Sequence, residues 1–549
     1  MTSPAVITAA LLIASTAACG GDDTSISDSG SDSGSDSGSD SGSDSGSDSD
    51  SGSDSSVGAD ADAAVDLPPT VMVTAPTDSA FAQSFDVAVV IADEDVDSVT
   101  LDVTTSDAIL FPAGSLVVSG TGANRTVTAT SAANEIGTAT LTFTVTDTAT
   151  QTGTTTADVD IYVHRTATGV VFTGTAATDV PASIGADNAG NVYLCGHTGV
   201  GAGALAVAEK FDLAGASSWA VSLTAPLGNI GRECGVTGDG WLAFATQLKP
   251  SGSSNAQETG LYTWDPAGVP VVGQNYQAGG VESYGRTAVI AADGSVYELS
   301  LTVANDVELV KFSGAGALLW ERTVVQGGPA TRATTLVIGP GGNIWALGYG
   351  EGTLRDGDLV DHATMDVDGF FAVYAPDGTL RDFELVGGAG DDYLMRVAFY
   401  DGAFYLAGAT SGVLDTALIG TRDWFVQKRS AIATVSWTKQ GGRAGATSGA
   451  QGLAMGHDGV VYITGTAAIT VGSDSKVHIT ALASADGSQL YSQEYGEAGQ
   501  FTAGSDLVYS GRDLIVAGAT NGDLDGITPS LGGDDAFILF VDPTDGTIR

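Results

Sequence analysis

The chain has 549 residues, 43% of them hydrophobic and only 16% charged, and its 76 glycines suit several turn-rich β domains rather than helices. Its formal net charge is −46, with 66 Asp and Glu against 20 Lys and Arg. A surface this negative repels phosphate backbones and anionic bilayers, so no nucleic-acid partner is expected.

Residues 5 to 18 form an apolar run that is too short to span a bilayer and ends in small residues before Cys19, so residues 1–18 read as a secretory signal. The stretch Thr16-Ala17-Ala18-Cys19-Gly20-Gly21 resembles a bacterial lipoprotein lipobox, although Thr16 stands where that motif usually has Leu and no Lys or Arg precedes the run. The resemblance implies that Cys19 is acylated and holds the protein in a membrane. Gly20 in the next position implies the outer membrane or cell surface of a Gram-negative bacterium. Residues 19–66 continue as a Ser-Asp-Ser-Gly repeat, and residues 22 to 66 hold 13 Asp and no Lys or Arg. Such a segment has too little apolar surface for a core and reads as a disordered tether.

Residues 67–165 change to short strands that alternate apolar residues with threonine, as in Thr140-Leu141-Thr142-Phe143-Thr144-Val145. That period of two, over roughly seven strands in about 100 residues, predicts an Ig-like β-sandwich, here without a cysteine. The segments Asp93-Glu94-Asp95-Val96-Asp97, Arg125-Thr126-Val127-Thr128 and Val145-Thr146-Asp147 resemble the cadherin-like and Ig-like repeats of bacterial surface proteins, which implies a spacer or adhesive unit.

From Gly190 onward one phrase recurs seven times: a turn, then a strand with, usually, an aromatic at its third position and glycine at its sixth. The copies are Asn191 to Gly196, Trp241 to Thr246, Ser295 to Ser300, Asn343 to Gly348, Ala403 to Gly408, Val460 to Gly465 and Asp513 to Gly518. Around each phrase, strand b, lie three further strand-like stretches: a before it, c after it, and d carrying Trp219, Trp320, Phe383, Trp437 or Tyr491. The seventh repeat has no strand d, whereas the stretch around Phe172 has the strand-d pattern and precedes the first strand a. Residues 166–549 are therefore expected to form a seven-bladed β-propeller closed by that early strand, which removes the open sheet edges. The segments Asp187 to Tyr193, Trp437 to Gly442 and Gly533 to Phe537 resemble the bacterial seven-bladed propeller repeat family, which implies an extracytoplasmic propeller. The second repeat departs most from the pattern. The fold class is all-β, a sandwich followed by the propeller.

In this arrangement the d–a and b–c loops share one face. Arg232, Arg286, Arg332, Arg396 and Arg443 fall there and make a candidate ligand-binding collar for an anion, unless each pairs with a nearby acid such as Glu233, Glu282, Asp391 or Asp392. Asp523, Asp525, Asp534 and Asp535 are an oxygen-rich candidate for calcium. Cys195 and Cys234 fall on adjacent repeats, either bridged as a disulfide or as two buried thiols. The five histidines have no metal-ligand spacing, and no nucleophile elbow or other complete catalytic motif is present. These features predict a monomeric, membrane-anchored lipoprotein that serves as a binding scaffold for a protein or glycan and is not an enzyme. The alternative is a lyase or glycosidase acting on an acidic polysaccharide.

Overall fold

In the sandwich region the alternation seen in the sequence becomes two four-stranded sheets. One runs Thr70–Thr74, Ser84–Ala92, Asn124–Thr130, Leu116–Ser119, and the other Asp78–Ala80, Thr152–Tyr162, Gly137–Thr146, Thr100–Thr105. Every second residue is buried from Val87 to Ile91 and from Ala139 to Val145. Both sheets feed one core that includes Val87, Val89, Ile91, Val127, Leu141, Phe143, Val145, Val159 and Ile161. The strand count is eight, because the short Asp78–Ala80 pairs in parallel with Thr152–Tyr162. The computed structural model describes residues 67–549 apart from 81–82, 133–136, 163–164, 176, 250–256, 329, 365, 457–458, 471–472 and 525–532. Cys19 and the tether lie outside these residues. The described chain is nearly all β, with 39 strands and three single-turn 3-10 helices.

Seven further sheets follow, each antiparallel and in sequence order. The first consists of Asp179–Ala186, Val192–Thr198, Leu205–Phe211 and Ser217–Leu223, and the others repeat this plan from Asn229, Ser283, Arg332, Asp392, Thr447 and Thr502. The seventh has only three strands of its own, and its fourth place is taken by Val170–Thr173, which pairs antiparallel with Asp535–Val541 through partners such as Phe172 and Phe537. The first strand of each sheet packs against the first strand of the next, and that of the seventh packs against that of the first. The seven sheets thus follow one another in a cycle.

The repeated phrase accounts for how consecutive sheets adhere. Tyr193, Tyr297 and Tyr405, at its third position, are fully buried, and each lies in one cross-strand row with a lysine and a tryptophan: Tyr193, Lys210, Trp219; Tyr297, Lys311, Trp320; Tyr405, Lys428, Trp437. The ammonium groups sit 5.1, 4.9 and 5.5 Å from the tyrosine ring centres. Each such contact contributes about 0.5–2 kcal/mol. The same lysines reach the following sheet, where they donate to Pro266 O at 3.1 Å, Pro376 O at 3.2 Å and Ser484 O at 2.8 Å. Tyr462 of the sixth sheet likewise donates to Pro543 O of the seventh at 3.3 Å. An aromatic at this position therefore joins two sheets, which explains its recurrence.

One hairpin was not foreseen. Thr353–Asp356 and Asp361–Ala363 fold back onto Leu318–Gln326 and extend the third sheet to six strands. Asp356 organises the turn by accepting from the Asp358 and Val360 amides, both at 2.9 Å, and by binding His362 Nε2 at 2.8 Å.

Candidate functional site

The glycine at the sixth position of the phrase shapes the centre of the cycle. Gly408 faces Leu394 of its neighbouring first strand, and a Cβ there would be driven into the Tyr393 carbonyl oxygen. Where strand b lacks this glycine, at Thr246 and Ser300, its partner in the first strand is glycine instead, Gly231 and Gly285. This close approach is followed in the first strand by a β-bulge, between Gly231 and Cys234, Gly285 and Thr287, Ala333 and Leu336, Leu394 and Arg396, and Gly504 and Asp506. Bulges re-aim side chains. Arg232, Glu233 and Arg286 lie inside them, and Arg396 and Asp506 end them.

Three of these residues, from the second, fifth and seventh sheets, meet. Arg396 Nη2 lies 2.9 Å from Glu233 Oε1, and its Nε lies 3.5 Å from Asp506 Oδ1, with all three side chains less than one-fifth exposed. Burial pushes the carboxyls of Glu233 and Asp506 up, and the Arg396 charge offsets only part of that rise. Arg396 is therefore committed to a buried ion cluster and is not available as a ligand-binding cation. Its partner Glu233 had been expected to neutralise a sequence neighbour. Arg443 is also occupied: its Nη1 lies 3.2 Å from Glu494 Oε2 on the fourth strand of the sixth sheet.

Arg232 and Arg286, on adjacent first strands, have no carboxylate within 4 Å among the described residues, although the Glu233 charge acts on both. Arg232 donates to Gln247 Oε1, and its Nε is buried without a hydrogen-bond partner. Arg286 Nε donates to Ala333 O at 3.2 Å. Burial and the neighbouring Arg286 charge bring Arg232 down to about 9. Arg332 donates to Thr331 O at 2.7 Å and to Asn305 Oδ1 at 3.5 Å. Of the collar expected from sequence, Arg396 and Arg443 are thus taken up by ion pairs, whereas Arg232, Arg286 and Arg332 lie on the first strands of consecutive sheets.

A fourth cation, Arg422, joins them, and sequence reading missed it because it ends a loop and carries no repeat signature. It is 5% exposed and lies 4.1 Å from the Tyr393 ring centre, with Nη2 donating to the Tyr393 hydroxyl at 3.1 Å. Tyr393 in turn meets Tyr349 edge to face at 4.9 Å. Tyr349 was missed as well. It follows the strand-b glycine Gly348 and is the cross-strand partner of Arg332.

The acidic expectations resolve differently. Asp534 and Asp535 sit at the start of the last strand, and burial together with the Asp535 charge pushes Asp534 up. Asp523 follows the strand Asp513–Thr520, and Asp525 lies outside the described residues. Among the described residues no group of three or more Asp, Glu, His or Cys side chains is placed to hold a metal ion. The related Asp423 caps its own loop by accepting from the Ile419 and Gly420 amides at 2.8 and 2.9 Å. Cys195 and Cys234 form a disulfide, with Cα atoms 6.1 Å apart, that joins the second strand of the first sheet to the first strand of the second. His197 and His478 are both brought down to about 4 by burial and stay neutral at ordinary pH.

Compared with known proteins, the chain matches no family model and no curated protein. Solved structures with some similarity include a protein of unknown function from Dyadobacter fermentans, at 10% identity over 67% of this chain and 96% of that one, with a TM-score of 0.37. An apocarotenoid oxygenase from Synechocystis aligns at 10% identity over 74% of this chain and 91% of its own, with a TM-score of 0.34. The SrpA adhesin from Streptococcus sanguinis aligns at 15% identity over 23% of this chain and 88% of its own, with a TM-score of 0.15. At these scores the likenesses carry no argument about fold or activity.

Proposed function

We propose that the seven-sheet cycle is a seven-bladed β-propeller of the bacterial repeat type, that the preceding sandwich is an Ig-like spacer, and that the chain is an extracytoplasmic binding scaffold anchored through acylated Cys19. Its ligand is an anionic glycan or protein, bound where the first strands converge. The cyclic packing of the first strands and the pairing of Val170–Thr173 with Asp535–Val541 support the propeller reading. The binding reading is carried by one observation: among the described residues Arg232 and Arg286, on adjacent first strands, have no carboxylate within 4 Å, and the Glu233 charge that acts on both is bonded to Arg396, while Arg396 and Arg443 each have an ion pair of their own. Two adjacent like charges without a direct ion pair raise the energy of the free protein, and an arriving anion lowers it.

Binding of the purified protein to immobilised acidic and neutral glycans tests this reading. Acidic glycans alone are expected to bind, with affinity falling as salt rises and dropping at least about tenfold in R232Q/R286Q, a loss of about 1.4 kcal/mol. Equal binding of neutral glycans, or an unchanged double variant, would refute it. Release of unsaturated sugar from the bound glycan would replace the scaffold by a lyase. Anchoring is tested by labelling with a fatty acid, which Cys19→Ser should abolish.

A further inference from the structure

Where the added hairpin folds over the seam between the third and fourth sheets, its turn bounds a cavity of about 430 Å³. The other walls are the outer strand Leu318–Gln326 of the third sheet and, from the fourth, Tyr374 and the turn and strand that follow it. Three carboxylates line the cavity, those of Glu321, Asp356 and Asp358, against one cation, Arg322. Arg322 is held along the wall: its Nε donates to Gly378 O at 3.0 Å, its Nη1 donates to Glu321 O at 2.8 Å, and it lies 5.4 Å from the Trp320 ring centre. Asp356 is committed to the turn amides and His362, whereas the exposed Asp358 carboxylate makes no ion pair or hydrogen bond among the described residues. Tyr374 is 1% exposed, yet it lines the cavity beside Gly357, where a Cβ would stand 2.8 Å from the tyrosine hydroxyl. That hydroxyl donates to Thr323 O at 3.4 Å, longer than the about 2.5–3.0 Å of a good O–H···O bond, and accepts no hydrogen bond among the described residues. Burial, then the charges of Asp356, Asp358 and Glu308, push it up. Burial, with the Glu321 and Asp306 charges, likewise pushes Glu308 up to about 7.

We infer that this cavity binds a small organic cation through a primary ammonium group, which the Asp358 and Glu321 carboxylates and the Tyr374 hydroxyl oxygen accept from. The inference stands apart from the anion-binding reading above, on other residues and the opposite charge. An ammonium presents three divergent donors, and the three acceptors stand on three different elements: an outer strand, a hairpin turn and a strand of the next sheet. The planar fork of a guanidinium suits the paired oxygens of one carboxylate instead. A metal ion is disfavoured, because among the described residues no group of three acids is placed to hold one, and the volume falls in the range of about 300–1,000 Å³ that organic ligands fill. Leu359 and Leu380 give the carbon body of such a ligand an apolar wall. Leu359 keeps an exposed side chain there although its φ of 64° is one that glycine takes without strain. The net charge of −46 draws cations to the protein.

Calorimetric titration of the full-length protein with cadaverine, with glucosamine and with their uncharged counterparts pentanediol and glucose tests the inference. At least one of the two amines is expected to bind and neither counterpart is, and D358N and Y374F are each expected to weaken binding at least about tenfold. Asp358→Asn removes only a charge without a partner, so its melting temperature should match wild type, which separates lost binding from lost folding. Binding of cadaverine alone would support the site and make its ligand an alkyl amine, and binding of glucosamine alone would support it and make the ligand an amino sugar. Binding of neither amine, equal binding of the uncharged counterparts, or full binding by D358N would overturn the inference. Displacement of the bound amine by an equal concentration of calcium chloride would overturn it in favour of a metal ion. R232Q/R286Q should bind the amine as wild type does, and loss of binding there would overturn the assignment to this cavity.

Discussion

Glu298 shows at the level of one residue what burial does that sequence does not reveal. It lies in a strand whose every residue is buried, its carboxyl receives the Ser300 hydroxyl at 2.7 Å and contacts the Tyr276 hydroxyl, and burial pushes it from 4.5 up to about 8. Because the folded state holds this proton more tightly than the unfolded chain, its contribution is fully present below about pH 4.5 and is lost as pH rises through about 8. Glu298→Gln, which keeps a neutral polar group there, should raise the melting temperature at pH 9 relative to wild type and leave it nearly unchanged at pH 4.5, measured by calorimetry. An equal effect at both pH values would contradict the buried neutral acid. The repeat phase separates Arg232, Arg286, Arg332 and Arg396 from the recurring phrase, and the structure places all four on first strands. Their partners were not, because Glu233 and Arg396 are 163 positions apart in the numbering and meet only through the fold. Nothing in the local pattern around Arg422 or Tyr349 marks either of them.

At the scale of elements, the four strands of each repeat were readable because one aromatic row recurs, and the tyrosine, lysine and tryptophan of a row share one face. The bulges were hidden, although they set the site. Their signal is the glycine of strand b, or of the first strand where strand b lacks it, and it acquires meaning only once the pairing is known. The hairpin at Thr353–Asp356 and Asp361–Ala363 was hidden too, because its apolar content is small. The disulfide follows from element packing: the first strand of the second sheet runs beside the second strand of the first, and Ser183 Oγ fixes the bend by accepting from the Cys234 amide at 2.9 Å. It links residues 39 apart in sequence. Closing a loop of that length constrains the unfolded chain by about 4 kcal/mol. The C195A/C234A variant should therefore lose about that much stability in denaturant titration, and dithiothreitol should lower the melting temperature of wild type but not of the variant. An unchanged midpoint would show that the bridge does not constrain the chain.

For the molecule as a whole, residues 67–549 were legible as a sandwich followed by seven repeats, and the early strand around Phe172 was placed by the phase of the repeat alone. The structure adds a clamp at that seam. Arg165 is buried, with Nε 3.1 Å from Asp513 Oδ2 and Nη2 donating to Ser510 Oγ at 3.1 Å, and Arg549 pairs with the other oxygen of Asp513. The sandwich contacts the seventh sheet nearby, where the Arg512 guanidinium lies 4.4 Å from the Tyr162 ring centre. The central claim is that seven separately coded sheets share one centre, since only then do Glu233, Arg396 and Asp506 of the second, fifth and seventh sheets meet. A double-mutant cycle between Glu233→Gln and Arg396→Gln, read by denaturant unfolding, tests it most directly. The account predicts a coupling of about 1–3 kcal/mol between the two positions, and additivity within about 0.5 kcal/mol would contradict it.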